Sequence, residues 1–116
     1  MNLSEFQIVN ATRARRWHGH LDQWSLLEWA GAMAGECGEA CNVAKKIRRA
    51  DLSLPDKEKG IEIKDLPDLR AKLANEIADS IIYGLIIMSA LEVDAATVIA
   101  EVFNQKSREY GFPERA

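Results

Sequence analysis

Apolar residues recur at helical spacing along most of the chain, and no segment shows the two-residue alternation of a half-buried strand. Ser4 followed by Gln7 is a capping-box signal, and it predicts a first helix running to about Trp17, with Phe6, Val9 or Asn10, Ala14 and Trp17 at roughly helical spacing. His18 to Trp24 breaks the period and reads as a loop. Ser25 followed by Glu28 is a second capping box. Beyond it Leu26, Leu27, Ala30, Met33, Ala34, Cys37, Cys41, Ala44 and Ile47 keep the period to about Arg49. Residues 50 to 65 are polar and carry Pro55 and Gly60, so they form the one long connection; loops of that length inside a compact domain are usually functional or mobile. A third helix starts near Asp65 or Leu66, with Pro67 tolerated in its first turn, and continues to about Leu91. Asp94 is a good cap for a fourth helix from Ala95 to about Tyr110, closed by Gly111 with Pro113 beyond.

These elements predict an all-α, four-helix bundle occupying residues 1–116 as one domain, without internal repeats. The second half of the third helix, IADSIIYGLIIMSAL, is apolar nearly all the way round and must be covered on every side. It is either a well-buried central helix or also a subunit interface. The second account is favoured, because the other three helices of so small a protomer can hardly surround it. The expectation is a homo-oligomer, a tetramer built as a pair of dimers before a simple dimer.

Composition narrows the class. Fifteen basic against eighteen acidic side chains give a net charge of −3, which argues against a general nucleic-acid binder. Two cysteines, Cys37 and Cys41, are too few for a disulfide scaffold and read as reduced, small core residues of a cytosolic protein. The opening MNLSEFQIVN has neither the basic nor the apolar region of a signal peptide. The most apolar stretch, Ile81 to Leu91, is eleven residues long and too short to span a bilayer. A soluble, cytoplasmic protein with no membrane partner is expected.

The candidate chemistry lies in two acidic pairs. Glu36 and Glu39 are three residues apart on the second helix, and Glu76 and Asp79 repeat that spacing on the third. Both pairs sit in unusually apolar surroundings, AMAGECGEACNVA and LANEIADSIIYG. Solvated surface acids would explain either pair alone. Two matching pairs on the two most apolar helices point instead to a cation held between them, since like charges so placed repel and lose solvent. Gly35 and Gly38 each precede an acid and would let a helix or ligand come close; packing alone explains them equally well. Four carboxylates with no His or Cys on the same faces form a hard, all-oxygen donor set suited to Mg²⁺ or Mn²⁺. A di-iron bundle would need Glu-x-x-His, and His18 and His20 lie far from either pair. Zinc at Cys37 and Cys41 would lack two further soft ligands.

Taken together, Glu36-Cys-Gly-Glu39 and Glu76-Ile-Ala-Asp79 resemble the E-x-x-E…E-x-x-D pattern of the MazG-like, all-α nucleoside triphosphate pyrophosphohydrolases. WAGAMAGECGEACNVAKKIRR is similar to the first metal-binding helix of that family, LRAKLANEIADSIIYGLIIMSALEVD to the second, and FNQKSREYGFPER to the closing helix of short, single-domain members, some of them phage-encoded. The resemblance covers roughly residues 17 to 115. One departure is the connection, since thirty-six residues separate Glu39 from Glu76, more than in many members.

The resemblance implies hydrolysis of a (d)NTP to the (d)NMP and pyrophosphate, with Mg²⁺, or Mn²⁺ in its place, held by Glu36, Glu39, Glu76 and Asp79. It places Lys45 or Lys46 at the family's phosphate-facing basic position, although KKIRR also suits a helix C-terminus by charge alone. Tyr83 falls where some relatives carry a substrate-contacting aromatic, and is equally suited to a core. Asn104 and Arg108 match polar positions of the last helix that reach nucleotide or metal; a solvated face is the plain alternative. Trp24, and with it Trp17 or His18, could stack on a base or simply anchor packing, whereas Trp29 reads as core or interface. A purine nucleotide such as dGTP is the first expectation for substrate, in nucleotide-pool control, in host cytoplasm if the protein is phage-encoded. A non-catalytic nucleotide-sensing module and a purely structural helical oligomer are the competing classes.

Overall fold

The computed structural model describes residues 1–52 and 65–116, and these contain four α-helices and no strand. They are α1 (Leu3–His18), α2 (Leu26–Asp51), α3 (Leu66–Ala90) and α4 (Ala95–Tyr110), with a short 3₁₀ turn over Leu21–Gln23 inside the segment expected to be a loop. The expected long connection lies almost wholly outside the described residues. Two compact units can be distinguished: residues 1–29 with 84–116, and residues 30–83.

In the first unit α1 packs against α4 and against the 3₁₀ turn. Its cap differs from expectation. Asn2, not Ser4, is the N-cap: its side chain accepts from the Glu5 amide at 2.9 Å while the Glu5 carboxylate accepts from the Asn2 amide at 3.0 Å. Two residues of shift leave Gln7 free for another task. It is buried; its Nε2 donates to the Val93 carbonyl at 2.8 Å and to Ser89 Oγ at 3.2 Å, and its Oε1 accepts from the Ala95 amide at 2.8 Å. A single amide side chain thus serves two backbone groups at the α3–α4 corner, of which the Ala95 amide is buried and would otherwise lack this partner. The buried face of α1 is Gln7, Asn10, Ala11 and Ala14: of the expected positions Asn10, the alternative to Val9, and Ala14 are buried, whereas Val9 and Trp17 point outward.

The corner itself is a helix terminus of regular form. Val93 donates to the Met88 carbonyl and Glu92 to that of Ser89, with Glu92 in the left-handed region at φ 59°. That is the Schellman arrangement, with glutamate where glycine is usual. Asp94 then caps α4 by accepting from the Thr97 amide and hydroxyl, and α4 closes at Gly111 with φ 70°, both as expected. Trp29 is fully buried and donates from Nε1 to the Leu21 carbonyl at 2.8 Å; Trp24 and His18 lie against it, with ring centroids 4.5 and 5.3 Å away.

The second unit holds the greater part of α2 and α3. The less exposed positions of α3 up to Tyr83 include Leu66, Leu69, Leu73, Glu76, Ser80 and Tyr83, alternating three and four apart; on α2 they include Met33, Glu36, Ala40, Val43, Ile47 and Ala50 with the same alternation. This is a heptad seam, the spacing that keeps one stripe of each helix facing its neighbour. Each seam contains a glutamate. Cys37 and Cys41 fall outside it and are exposed, correcting their reading as core residues. At Gly35 and Gly38 a Cβ would meet nothing within 4 Å, so the close approach anticipated there is not made among the described residues.

Within one chain α3 is poorly covered. By length and composition it is apolar enough to cross a membrane, which the eleven-residue count from Ile81 to Leu91 understated, yet only 11% of its most apolar window is buried. Ile77 and Ile81 stand half exposed on its outer face.

Candidate metal centre

The four acids are brought to one place by the two seams. Glu36 occupies a seam position of α2, and Glu39 lies almost one turn further on. Glu76 occupies a seam position of α3 with Asp79 one turn on. Carboxylate oxygens of Glu36, Glu76 and Asp79 lie within 4.8 Å of one another. Glu39 completes the group, since it is within hydrogen-bonding reach of both Glu36 and Glu76. Ser80 Oγ donates to the Glu76 carbonyl at 3.0 Å, tying that hydroxyl to the helix.

Crowding shifts the protonation of two of the carboxyls, Glu36 and Glu76. Glu36 is half-buried, and its carboxyl is held above the ordinary value first by loss of solvent, then by the charge of Glu39 and a hydrogen bond to it, then by the charges of Asp79 and Glu76. Glu76 is raised too, chiefly because it donates to Glu39, then by loss of solvent and the charges of Glu39 and Asp79, against a smaller opposite effect of a hydrogen bond with Glu36. In the absence of a cation, the site therefore holds protons more tightly than isolated glutamates do. The cluster is made of oxygen donors alone, with no His or Cys ligand atom in it, a set that fits a hard divalent cation.

The remaining candidates are distributed. Lys45 and Lys46 lie on α2 beyond the acids, Lys45 exposed and Lys46 half-buried; Tyr83 lies one turn past Asp79 on α3, half-buried. All three share a unit with the acids. Trp24, Asn104 and Arg108 belong to the other unit. There Trp24 is half-buried in the aromatic group with His18 and Trp29, and Arg108 is exposed on α4. The Asn104 side chain is engaged by the backbone of Ala116, accepting from its amide at 2.7 Å and donating to its carbonyl at 3.3 Å. Sequence reasoning missed Gln7 as a structural polar residue because a glutamine three after a serine resembles a cap.

Compared with known protein families, curated proteins and solved structures, the chain finds no match in any of the three.

Proposed function

We propose that the protein is a Mg²⁺-dependent nucleoside triphosphate pyrophosphohydrolase of the MazG-like kind, cleaving a (d)NTP to the (d)NMP and pyrophosphate. The observation that carries this reading is the convergence of Glu36, Glu39, Glu76 and Asp79 from two helices, with two carboxyls pushed toward protonation by their neighbours. A site that repels its own charges is suited to receiving a divalent cation, and Mn²⁺ meets the same donor requirements. Bound there, the cation would supply charge neutralisation at phosphate oxygens and a more acidic water.

The chain's own residues have assignable tasks. Glu39 and Asp79 are the principal ligands, and Glu36 and Glu76 complete the set or accept a proton from the attacking water. Water attacks the α-phosphorus and pyrophosphate leaves. Lys45 or Lys46 meets the phosphates, Tyr83 the nucleoside; Trp24, Asn104 and Arg108 are second candidates for the substrate. The reading includes a homo-oligomer, tetramer before dimer, whose other copies cover α3. Insertion of α3 in a bilayer is the less favourable cover, because Glu76 and Asp79 would then meet hydrocarbon.

The test is pyrophosphate and monophosphate release from each of the eight (d)NTPs, with Mg²⁺ and with chelator. Turnover that needs the metal and is lost in Glu39→Gln supports the reading. Nucleotide binding without turnover would assign a sensing module, and neither binding nor turnover would leave a structural oligomer.

A further inference from the structure

The outer face of α1 is unexplained by the site. It forms a shallow groove of about 300 Å³ lined by Ile8, Val9, Thr12, Arg13 and Arg16. Ile8 is 68% exposed and Val9 56%, a poor arrangement for β-branched apolar residues left in water. Neither arginine has a partner among the described residues, while Glu5 stands at the opposite end of the same face. Positions 5, 9, 12 and 16 are spaced four, three and four apart, so they form one straight stripe along the helix.

We propose that this face pairs with the same face of a second copy, as two antiparallel α1 helices about a twofold axis. The charge order selects the occupant. Acidic at its N-terminal end, apolar in the middle and basic at its C-terminal end, the stripe is complementary to itself when reversed. One register satisfies every position: Glu5 opposite Arg16 of the second copy, Val9 opposite Thr12, and Ile8 opposite Arg13, each pair occurring twice. Ile8 is then covered by the aliphatic stem of Arg13. Two end pairs and an apolar centre are the pattern of an isologous contact. The Glu5 carboxylate spends one oxygen on the Asn2 amide and keeps the other for the partner's arginine. This contact is separate from the cover of α3 and holds whether or not the acids bind a metal.

The experiment is light scattering with size exclusion on the full chain at low salt and at 0.5 M NaCl, for the wild type, Glu5→Arg, Arg16→Glu and the double reversal. Each single reversal should halve the assembly mass with helical circular dichroism retained, and the double reversal should restore it. Both reversals oppose the helix dipole and Glu5→Arg removes a cap, so recovery in the double variant cannot come from a more stable α1. A wild type whose mass is unchanged by either single reversal overturns the proposal, as does a double variant that stays dissociated. So does wild-type binding to anionic vesicles that Arg16→Glu abolishes at unchanged mass, which would assign the face to a lipid surface.

Discussion

Glu39 is the carboxylate on which the cluster turns, because its charge and its hydrogen-bonding reach raise both Glu36 and Glu76. Glu39→Gln keeps a side-chain oxygen to accept those bonds and removes one charge. The metal-free variant should melt no lower than the wild type, and its pyrophosphate release should fall to background. A variant that melts lower yet still turns over would show that Glu39 is a structural partner and not a ligand. Protonation gives a second handle. Because Glu36 and Glu76 are raised in the folded state, folding binds protons there, and metal-free stability should decline as pH rises from the ordinary glutamate range through the raised values. Saturating Mg²⁺ should remove that decline, which urea titrations at a series of pH values will show. Gln7 is the opposite kind of residue, a buried amide whose donor and acceptor are both used. Gln7→Leu leaves the Ala95 amide and the Val93 carbonyl without it and should cost about 1–3 kcal/mol, read from urea unfolding.

Three of the helices start on side chains that satisfy their loose ends, and backbone bonds close the ends of α1, α3 and α4. Asn2 with Glu5, Ser25 with Glu28, and Asp94 start α1, α2 and α4, and left-handed residues end α3 and α4. The asymmetry between the two ends is informative. Gly111 adopts its conformation freely, whereas Glu92 does so against the contact of its Cβ with the following carbonyl. Glu92→Gly should therefore stabilise the protein by about 1 kcal/mol, less the chain entropy that glycine adds to the unfolded state. Thermal melts of the two proteins check this, and a lower melting temperature in the variant would count against strain at the corner. The seams of α2 and α3 also give up apolar packing to charge. Two of the positions best placed for apolar packing are given to Glu36 and Glu76.

For the whole molecule, the unspent quantity is apolar surface. α3 is long, apolar and mostly uncovered by its own chain, and Ile99, Val102 and Phe103 on α4 are about half exposed as well. A folded chain with this much uncovered hydrocarbon gains from association, so light scattering at micromolar concentration should give a multiple of 13.0 kDa. A stable monomer would remove the oligomer from the proposed function. Cation binding should be visible at the same scale. A divalent ion present at a hundred times its dissociation constant, and bound only by the folded state, adds about 2.7 kcal/mol. The melting temperature should rise with Mg²⁺ or Mn²⁺ and much less with NaCl at matched ionic strength; equal shifts would mean no specific site.

The helices, and most of their ends, could be read from the chain because they are set by local chemistry: a capping oxygen within three residues, a glycine that tolerates positive φ, a proline in a first turn. The spacing of the acids was equally local, since residues three apart share a helical face wherever the helix packs. Which face turns inward is not local. On α2 the apolar set read from the sequence, Met33, Ala34, Cys37, Cys41, Ala44 and Ile47 among them, spans more than one face, and periodicity alone does not choose which turns inward. The structure turns Met33, Ala40, Val43 and Ile47 to the less exposed side, and so carries Glu36 with them and leaves Cys37 and Cys41 outside. The same holds at α1, where Gln7 takes the inner face because a corner more than 80 residues away needs hydrogen-bond partners. Local bonding fixes the helices one at a time; the choice of face depends on volume and polar groups supplied by segments distant in sequence, and only the folded chain brings those together.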